Sequence, residues 1–154
     1  MRIVLIVFLT VMCSAFAEAQ SIDNLLEKYN RHSVPYISVQ ELAMNYDDYV
    51  VLDTRKKEEY DVSHLPNAIW VGEDWQSSRK FAKDAKIAVY CSVGVRSEDY
   101  GERLQEAGYT EVKNLYGSIF AWKDAGFEVL DNDEKPTEKV HTYSKTWAKY
   151  LKSG

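Results

Sequence analysis

The chain has 154 residues, of which 45% are hydrophobic and 28% are charged, and its formal net charge is −5. The length suits one domain of about 100–150 residues, and the content of 7 glycines and 3 prolines excludes collagen-like, low-complexity and disordered classes. The acidic balance argues against a nucleic-acid partner, and 2 cysteines are too few for a disulfide scaffold.

The first 19 residues have the layout of a secretory signal peptide. Arg2 precedes an almost entirely apolar run over 3–12, and two overlapping Ala-x-Ala sites follow, the second ending at Ala19. The apolar run is shorter than the about 20 residues of a membrane-spanning helix. The sequence therefore predicts a signal peptide over 1–19 that is cleaved after Ala19, and an exported protein, either periplasmic or secreted.

The rest of the chain predicts alternating helices and short strands. An N-terminal extension over 20–34 contains an amphipathic helix at 21–31, and the segment 35–130 forms the main domain. The predicted strands are apolar or rich in β-branched residues and lie at 36–37, 50–53, 68–71, 87–90 and 112–115. The predicted helices of this domain lie at 38–46, 74–85, 96–107 and 118–125. This alternation predicts an α/β fold whose parallel sheet is covered on both faces and binds ligands at the carboxyl ends of its strands.

The last segment, 131–154, predicts a polar linker followed by a basic helix. Apolar and aromatic residues recur there at helical spacing, at Val140, Tyr143, Trp147, Tyr150 and Leu151. From residue 135 to 154, five lysines stand against one glutamate, Glu138, which gives a local charge of +4. Such a helix either packs its aromatic side on the domain or docks on a partner or an anionic membrane surface.

Signal cleavage would leave one cysteine, because Cys13 departs with the signal peptide and Cys91 remains. A lone cysteine is most often a small buried hydrophobic residue. In an oxidising compartment, however, a free thiol must be buried, paired between chains or used. The sequence around Cys91 favours the last of these, a thiol that takes part in chemistry.

Cys91 directly follows the strand predicted at 87–90 and precedes the helix that is predicted to start at Arg96. A thiol at this position faces the positive end of a helix and the amides of the loop Ser92, Val93, Gly94, Val95 and Arg96. Arg96 adds a permanent positive charge. Each of these groups stabilises an anion by about 0.5–2 kcal/mol. Together they lower the thiol pKa by about one to two units, which predicts a nucleophilic thiolate near neutral pH.

Four motifs follow one another along the main domain. They are Asp53-Thr54-Arg55 with Glu59-Tyr60, the run His64 to Ile69, the run Tyr90 to Ser97, and Gly117 with Trp122 and Gly126. In this order they resemble the rhodanese-like sulfurtransferase family over most of the domain, although Asn67 and Tyr116 stand where the family often has glycine. The resemblance implies a three-layer α/β/α fold with a five-stranded parallel sheet.

The same resemblance implies that the protein is a sulfurtransferase. Cys91 would take sulfane sulfur from a small sulfur-containing anion such as thiosulfate, carry it as a persulfide, and pass it to cyanide, a small thiol or a protein thiol. The amides of Ser92 to Arg96 would hold the sulfur, and Arg96 would also fix the loop and attract the donor. No tightly bound cofactor is needed for this cycle.

Two other functional classes remain open. A noncatalytic rhodanese-like binding or sulfur-carrier module would share the fold, although such modules typically lose the cysteine that this chain keeps. Cysteine phosphatases and arsenate reductases related to rhodaneses use a His-Cys-x5-Arg loop. Here only four residues separate Cys91 from Arg96, and Tyr90 takes the place of the histidine.

Other polar residues give weaker patterns. His32, His64 and His141 lack the spacing of metal ligands, so no metal site is predicted. Asp53 and Arg55 end a predicted strand near the expected site. We interpret them as part of a structural network of hydrogen bonds and an ion pair.

Overall fold

The computed structural model describes residues 21–153, which form a five-stranded sheet with helices on both of its faces. The strands are β1 (Tyr36–Ile37), β2 (Val50–Asp53), β3 (Ile69–Trp70), β4 (Lys86–Tyr90) and β5 (Glu111–Leu115). They lie in the order β1-β5-β4-β2-β3, and all neighbouring pairs are parallel. The five-stranded parallel sheet predicted from the sequence is thereby confirmed. The predicted signal peptide, 1–19, lies outside the described residues.

The central strand β4 shows why the sheet is buried on both faces. Ile87 and Val89 belong to one hydrophobic cluster, whereas Ala88 and Tyr90 belong to another. Because successive side chains of a strand point to opposite faces, the two clusters are the cores on either side of the sheet. An apolar run without polar interruption is what such a strand requires.

The α-helices connect the strands and flank the sheet. They are α1 (Ile22–Tyr29), α2 (Val39–Met44), α3 (Lys57–Val62), α4 (Arg96–Glu106), α5 (Ser118–Asp124) and α6 (Lys145–Ala148). Ser38 caps α2, since its hydroxyl accepts a hydrogen bond from the Glu41 amide at 3.1 Å. None of the helices within residues 21–153 is long and apolar enough to cross a bilayer.

Two connections differ from the sequence predictions. The helix predicted over 74–85 is instead a 3-10 helix over Trp75–Lys80, followed by a turn into β4. This stretch offers too few large apolar residues to bury the side of an α-helix. Conversely, α3 was not predicted, because its six residues, Lys57–Val62, are mostly charged.

The C-terminal segment (residues 131–153) does not form the long basic helix that was predicted. The expected linker is the turn of a small antiparallel hairpin, β6 (Val129–Leu130) with β7 (Pro136–Thr137). The helix that follows is limited to the four residues of α6. Tyr143 has a left-handed backbone with φ +65°, and the capping Ser144 is extended, so a helix cannot continue through them.

The two departures from the family motifs have structural explanations. Asn67 adopts a left-handed conformation with φ +56°, which asparagine tolerates better than most residues other than glycine. The turn is therefore kept without glycine. The Tyr116 hydroxyl donates a hydrogen bond to the Asp23 carboxylate and thereby joins the end of β5 to α1.

Candidate active site

The candidate site is the loop of residues 91–96 that joins β4 to α4, called here the Cys91 loop. Cys91 is fully buried. Its amide donates to the Ser118 hydroxyl at 3.1 Å, and its carbonyl accepts from the Ile119 amide at 3.3 Å. The first turn of α5 therefore fixes the backbone of the cysteine. The preceding Gly117 cannot be replaced easily, because an added Cβ would lie 2.5 Å from the Cβ of Ala121.

The sulfur of Cys91 is surrounded by hydrogen-bond donors. The Gly94 amide donates to Sγ at 3.2 Å, and the Ser97 hydroxyl lies 3.5 Å from it. Gly94 has φ +111°, a conformation that side chains other than hydrogen strongly disfavour. This backbone conformation belongs to the turn that brings the Gly94 amide to the sulfur.

Two asparagine side chains fix the backbone of the Cys91 loop through hydrogen bonds. The Gly94 carbonyl accepts hydrogen bonds from the side-chain amides of Asn30 and Asn114, each at 2.9 Å. The Ser97 hydroxyl donates to Asn114 Oδ1 at 2.7 Å and is therefore shared between this oxygen and the Cys91 sulfur. The sequence analysis missed these asparagines, since the pairing depends on how α1, β5 and the loop come together.

Arg96 forms a largely buried ion pair with Glu59 of α3. Its two terminal nitrogens donate to the two Glu59 carboxylate oxygens at 2.8 Å each, and Nη2 also donates to the Ser92 hydroxyl at 2.9 Å. Burial alone would raise the pKa of Glu59, but the hydrogen bonds and charge of Arg96 lower it below its ordinary value. The sequence motif contained Glu59, but its role as the partner of Arg96 was not predicted.

The surroundings of Cys91 favour its thiolate. Burial by itself would raise the pKa of the thiol. The positive charge of Arg96, together with hydrogen bonds from Ser97 and Gly94, more than offsets burial, so the pKa lies below its ordinary value. A thiolate is the nucleophilic form of cysteine, so this environment suits covalent chemistry.

The predicted loop residues therefore have different surroundings. Gly94 is the residue of the Cys91 loop whose amide bonds Sγ, Arg96 supplies the charge, and Ser92 supports Arg96 and Glu59 through its hydroxyl. Val93 is fully buried in the hydrophobic core, and Val95 precedes the first residue of α4.

A cavity of about 250 Å³ lies beside Arg96. It is lined by Thr54 after β2, by Gly72 and Glu73 after β3, and by Arg96, Asp99, Tyr100 and Arg103 of α4. This is the edge of the sheet at which the strands end, where ligands of parallel α/β sheets bind.

Asp53 and Arg55 form a second buried ion pair, as interpreted from the sequence. Arg55 Nη2 lies 2.6 Å from the Asp53 carboxylate and also donates to the Ser63 carbonyl at 2.7 Å. The Tyr90 hydroxyl donates to the same carboxylate and accepts a hydrogen bond from the Leu65 amide. The network joins the ends of β2 and β4.

Within residues 21–153, no three His, Cys, Asp or Glu side chains lie close enough together to hold a metal ion.

Comparison with known proteins relates this geometry to a family. The family model described as "Rhodanese-like domain" matches residues 38–125. A tRNA uridine(34) hydroxylase of Streptococcus suis is 36% identical over 98 residues, which are 54% of this chain and 29% of the hydroxylase. The chain thus spans about a third of the length of the curated relatives it matches.

Solved structures share the fold. A rhodanese-related protein of Thermoplasma volcanium is 29% identical, with a TM-score of 0.56 over 62% of this chain and 97% of that protein. A thiosulfate sulfurtransferase of Pseudomonas aeruginosa is 22% identical, with a TM-score of 0.61 over 82% of this chain and 25% of that protein. At that identity the second likeness concerns the fold alone.

Proposed function

The chain belongs to the rhodanese-like domain family, and from this membership we propose that it is a sulfurtransferase. It would move sulfane sulfur from a donor such as thiosulfate to cyanide or a thiol through a persulfide on Cys91. The observation that carries the proposal is the set of groups around the Cys91 sulfur: the Gly94 amide at 3.2 Å, the Ser97 hydroxyl at 3.5 Å and the nearby Arg96 charge.

In the first half-reaction the Cys91 thiolate attacks the outer sulfur of the donor. A new S–S bond forms on Cys91, the S–S bond of thiosulfate breaks, and sulfite leaves with its electron pair. The negative charge then lies on the terminal sulfur of the persulfide. We expect the donors that stabilise the thiolate, above all the Gly94 amide and Arg96, to stabilise this anion as well.

In the second half-reaction an acceptor attacks the terminal sulfur of the persulfide. Cyanide would leave as thiocyanate and a thiol as a persulfide, and in both cases the Cys91 thiolate is regenerated. This is a double displacement in which the enzyme carries the sulfur between two substrates. The cycle uses a single cysteine and consumes no external oxidant or reductant.

Arg96 acts in this proposal chiefly as a fixed charge. Its terminal nitrogens already bond Glu59 and Ser92, so direct capture of the donor, as expected from the sequence, would have to compete with those bonds. The adjoining cavity of about 250 Å³ has room for a small anion, although Cys91 does not line it and Glu73 and Asp99 stand there beside Arg96 and Arg103. The tRNA in the names of the hydroxylase relatives carries no proposal for this chain, because the chain spans about a third of their length and its net charge of −5 gives no overall basic footprint.

Intact-mass measurement after incubation with thiosulfate tests the proposal. We expect the mass of one added sulfur atom on the wild-type protein and none on the Cys91→Ser variant. Failure of thiosulfate and of several other sulfane donors to load the protein would count against a sulfurtransferase and favour a binding module. Hydrolysis of an aryl phosphate that is abolished in Cys91→Ser would instead support a cysteine phosphatase.

We further propose that the protein acts outside the cytoplasm. The proposal rests on the signal-peptide pattern over 1–19. Sequencing the N-terminus of protein recovered from the cell envelope or medium tests it, and we expect the chain to start after Ala19. An intact N-terminus on protein found only in the cytoplasm would contradict export.

A further inference from the structure

The face of the Arg96 guanidinium is covered by a residue from outside the family match. The Tyr143 ring centre lies 4.3 Å from the guanidinium carbon, well within the range of a cation–π contact. The edge of the same guanidinium is held by Glu59 and Ser92. Arg96 is therefore fixed from two directions, by hydrogen bonds at its edge and by an aromatic ring at its face.

Tyr143 is itself held in place by the C-terminal segment. Its amide donates to His141 Nδ1 at 3.0 Å, and its ring packs edge-to-face on Trp147 at 5.7 Å. Farther along, Tyr150 is buried in the core beside the sheet, and the Lys152 amide donates to the Asp124 carboxylate at 3.0 Å. The β6–β7 hairpin anchors the other end of the segment.

The backbone conformation of Tyr143, which brings its ring to Arg96, is energetically unfavourable. Its φ of +65° lies in the left-handed region, which a bulky side chain rarely adopts. Tyrosine at this position is unfavourable unless the surrounding contacts fix it. The contact with Arg96, together with the packing on Trp147, is the compensation that the structure shows.

Resting on the proposed function, we propose that Tyr143 is a positioning residue for sulfur transfer. Its ring holds the Arg96 guanidinium in the fork of Glu59 and shields it from water. A guanidinium that is held and shielded in this way acts on the sulfur of Cys91 through a less polar medium than bulk water. The side chain of Arg96 is only 22% exposed.

The charges around Cys91 determine in which direction loss of the Tyr143 ring changes the pKa of the thiol. Arg96 is the charged group that acts on Cys91, with hydrogen bonds from Ser97 and Gly94 beside it. Glu59, on α3, neutralises part of the Arg96 charge, and the Tyr143 ring packs on the face of the same guanidinium. Loss of the ring would leave the hydrogen bonds to Glu59 in place but would open the face of the guanidinium to water. The thiolate would then lose stabilisation.

The test compares Tyr143→Leu, Tyr143→Phe and wild type by thiolate absorbance as a function of pH, with Cys91→Ser as the blank. In Tyr143→Leu we expect the thiolate midpoint to rise by about half a pH unit, and persulfide formation at neutral pH to slow about threefold. Tyr143→Phe keeps the aromatic ring, so its thiolate midpoint and its rate of persulfide formation should both stay close to the wild-type values. Tyr29→Leu, at an exposed tyrosine of α1, is the matched control and should change neither.

The outcomes separate this inference from the proposed function. If Tyr143→Leu lowers the unfolding temperature but leaves the thiolate midpoint unchanged, Tyr143 is only an anchor of the C-terminal segment and the inference is wrong. If the midpoint shifts as expected while wild type takes up no sulfur, Tyr143 positions Arg96 for the Cys91 thiolate as inferred, but the sulfurtransferase proposal fails and with it the role of Tyr143 in sulfur transfer. Should Tyr143→Leu not fold, Tyr143→Gln offers a polar replacement at a side chain that is 41% exposed.

Discussion

Arg96 and Glu59 face each other through two parallel hydrogen bonds, each 2.8 Å long. The carboxylate side chain is 1% exposed and the guanidinium side chain 22% exposed, so the pair lies mostly out of water. Two-pronged pairing of this kind fixes orientation as well as charge. The pair connects α3 to the first residue of α4, and thus ties the Cys91 loop to the helix that follows β2.

We expect Glu59→Gln to lower the free energy of unfolding at neutral pH by about 1–3 kcal/mol, because it leaves the Arg96 charge without its partner. The substitution should also slow sulfur loading, since Arg96 is no longer held. Urea unfolding and intact-mass kinetics measure the two effects. Glu58→Gln, at the exposed neighbouring position of α3, is the control. Equal stability of the two variants would contradict this role of Glu59.

The same pair predicts a pH dependence of stability. Arg96 lowers the pKa of Glu59 despite burial, which would raise it, so the folded-state pKa lies below the unfolded value of about 4.3. The stabilising contribution of Glu59 is therefore complete above about pH 5 and is lost as the pH falls through its folded-state pKa. The difference in unfolding free energy between wild type and Glu59→Gln should shrink on acidification. A difference that grows at low pH would be inconsistent with this.

Replacing Arg96 should change the reactivity of Cys91. In Arg96→Ala we expect alkylation of Cys91 by iodoacetamide to need a pH about one unit higher, because the positive charge that lowers the thiol pKa is gone. Persulfide formation should slow accordingly. Arg96→Lys should rescue only part of the loss, since lysine lacks the planar fork that meets Glu59. Unchanged rates in folded Arg96→Ala would remove Arg96 from the mechanism.

Gly94→Ala should damage the site more than the fold. Alanine at this position would be strained by the φ of +111°, which residues with a side chain rarely adopt, so we expect the turn to shift and the amide to move away from the sulfur. We expect a stability loss of about 1–3 kcal/mol and a large loss of sulfur loading. Gly108→Ala is a matched control, because Gly108 also has positive φ but open space around it. It should lose stability and keep Cys91 reactive.

The burial of Cys91 predicts a long-lived loaded form. Within residues 21–153 it is the one cysteine, and it is fully buried, so neither a second thiol of the same domain nor another buried Cys91 reaches it. We expect the persulfide to persist until cyanide or a thiol is added, and disulfide-linked dimers to be scarce. Non-reducing gels and intact mass of signal-free protein measure both. Rapid loss of sulfur without an acceptor would argue against a sulfur carrier.

The sequence predicted the sheet well because each strand carries its own signal. The run Ile87 to Tyr90 is apolar throughout and forms the central strand, and α4 begins at Arg96 as predicted. The short or polar elements were less predictable. The six-residue α3 has no apolar periodicity, and the aromatic residues of the C-terminal segment have helical spacing although most of them lie outside a helix.

At the site, the sequence identified the nucleophile and its cation but not their supports. Cys91 and Arg96 are close in the chain, so their proximity follows from one strand, one loop and one helix. Asn30, Glu59 and Tyr143 come from three distant segments. Their contacts depend on how those segments pack on the loop, which local patterns do not encode.

The contacts of Asn30 and Tyr143 have a consequence for behaviour on warming. Both residues lie outside the family match of 38–125, one in the N-terminal extension and one in the C-terminal segment, yet both touch the Cys91 loop. The flanks of a domain open locally at lower free energy than its central strands. Heat would therefore disturb the Cys91 loop before the sheet melts, and cooling would restore the reactivity of Cys91 as long as only the flanks had opened.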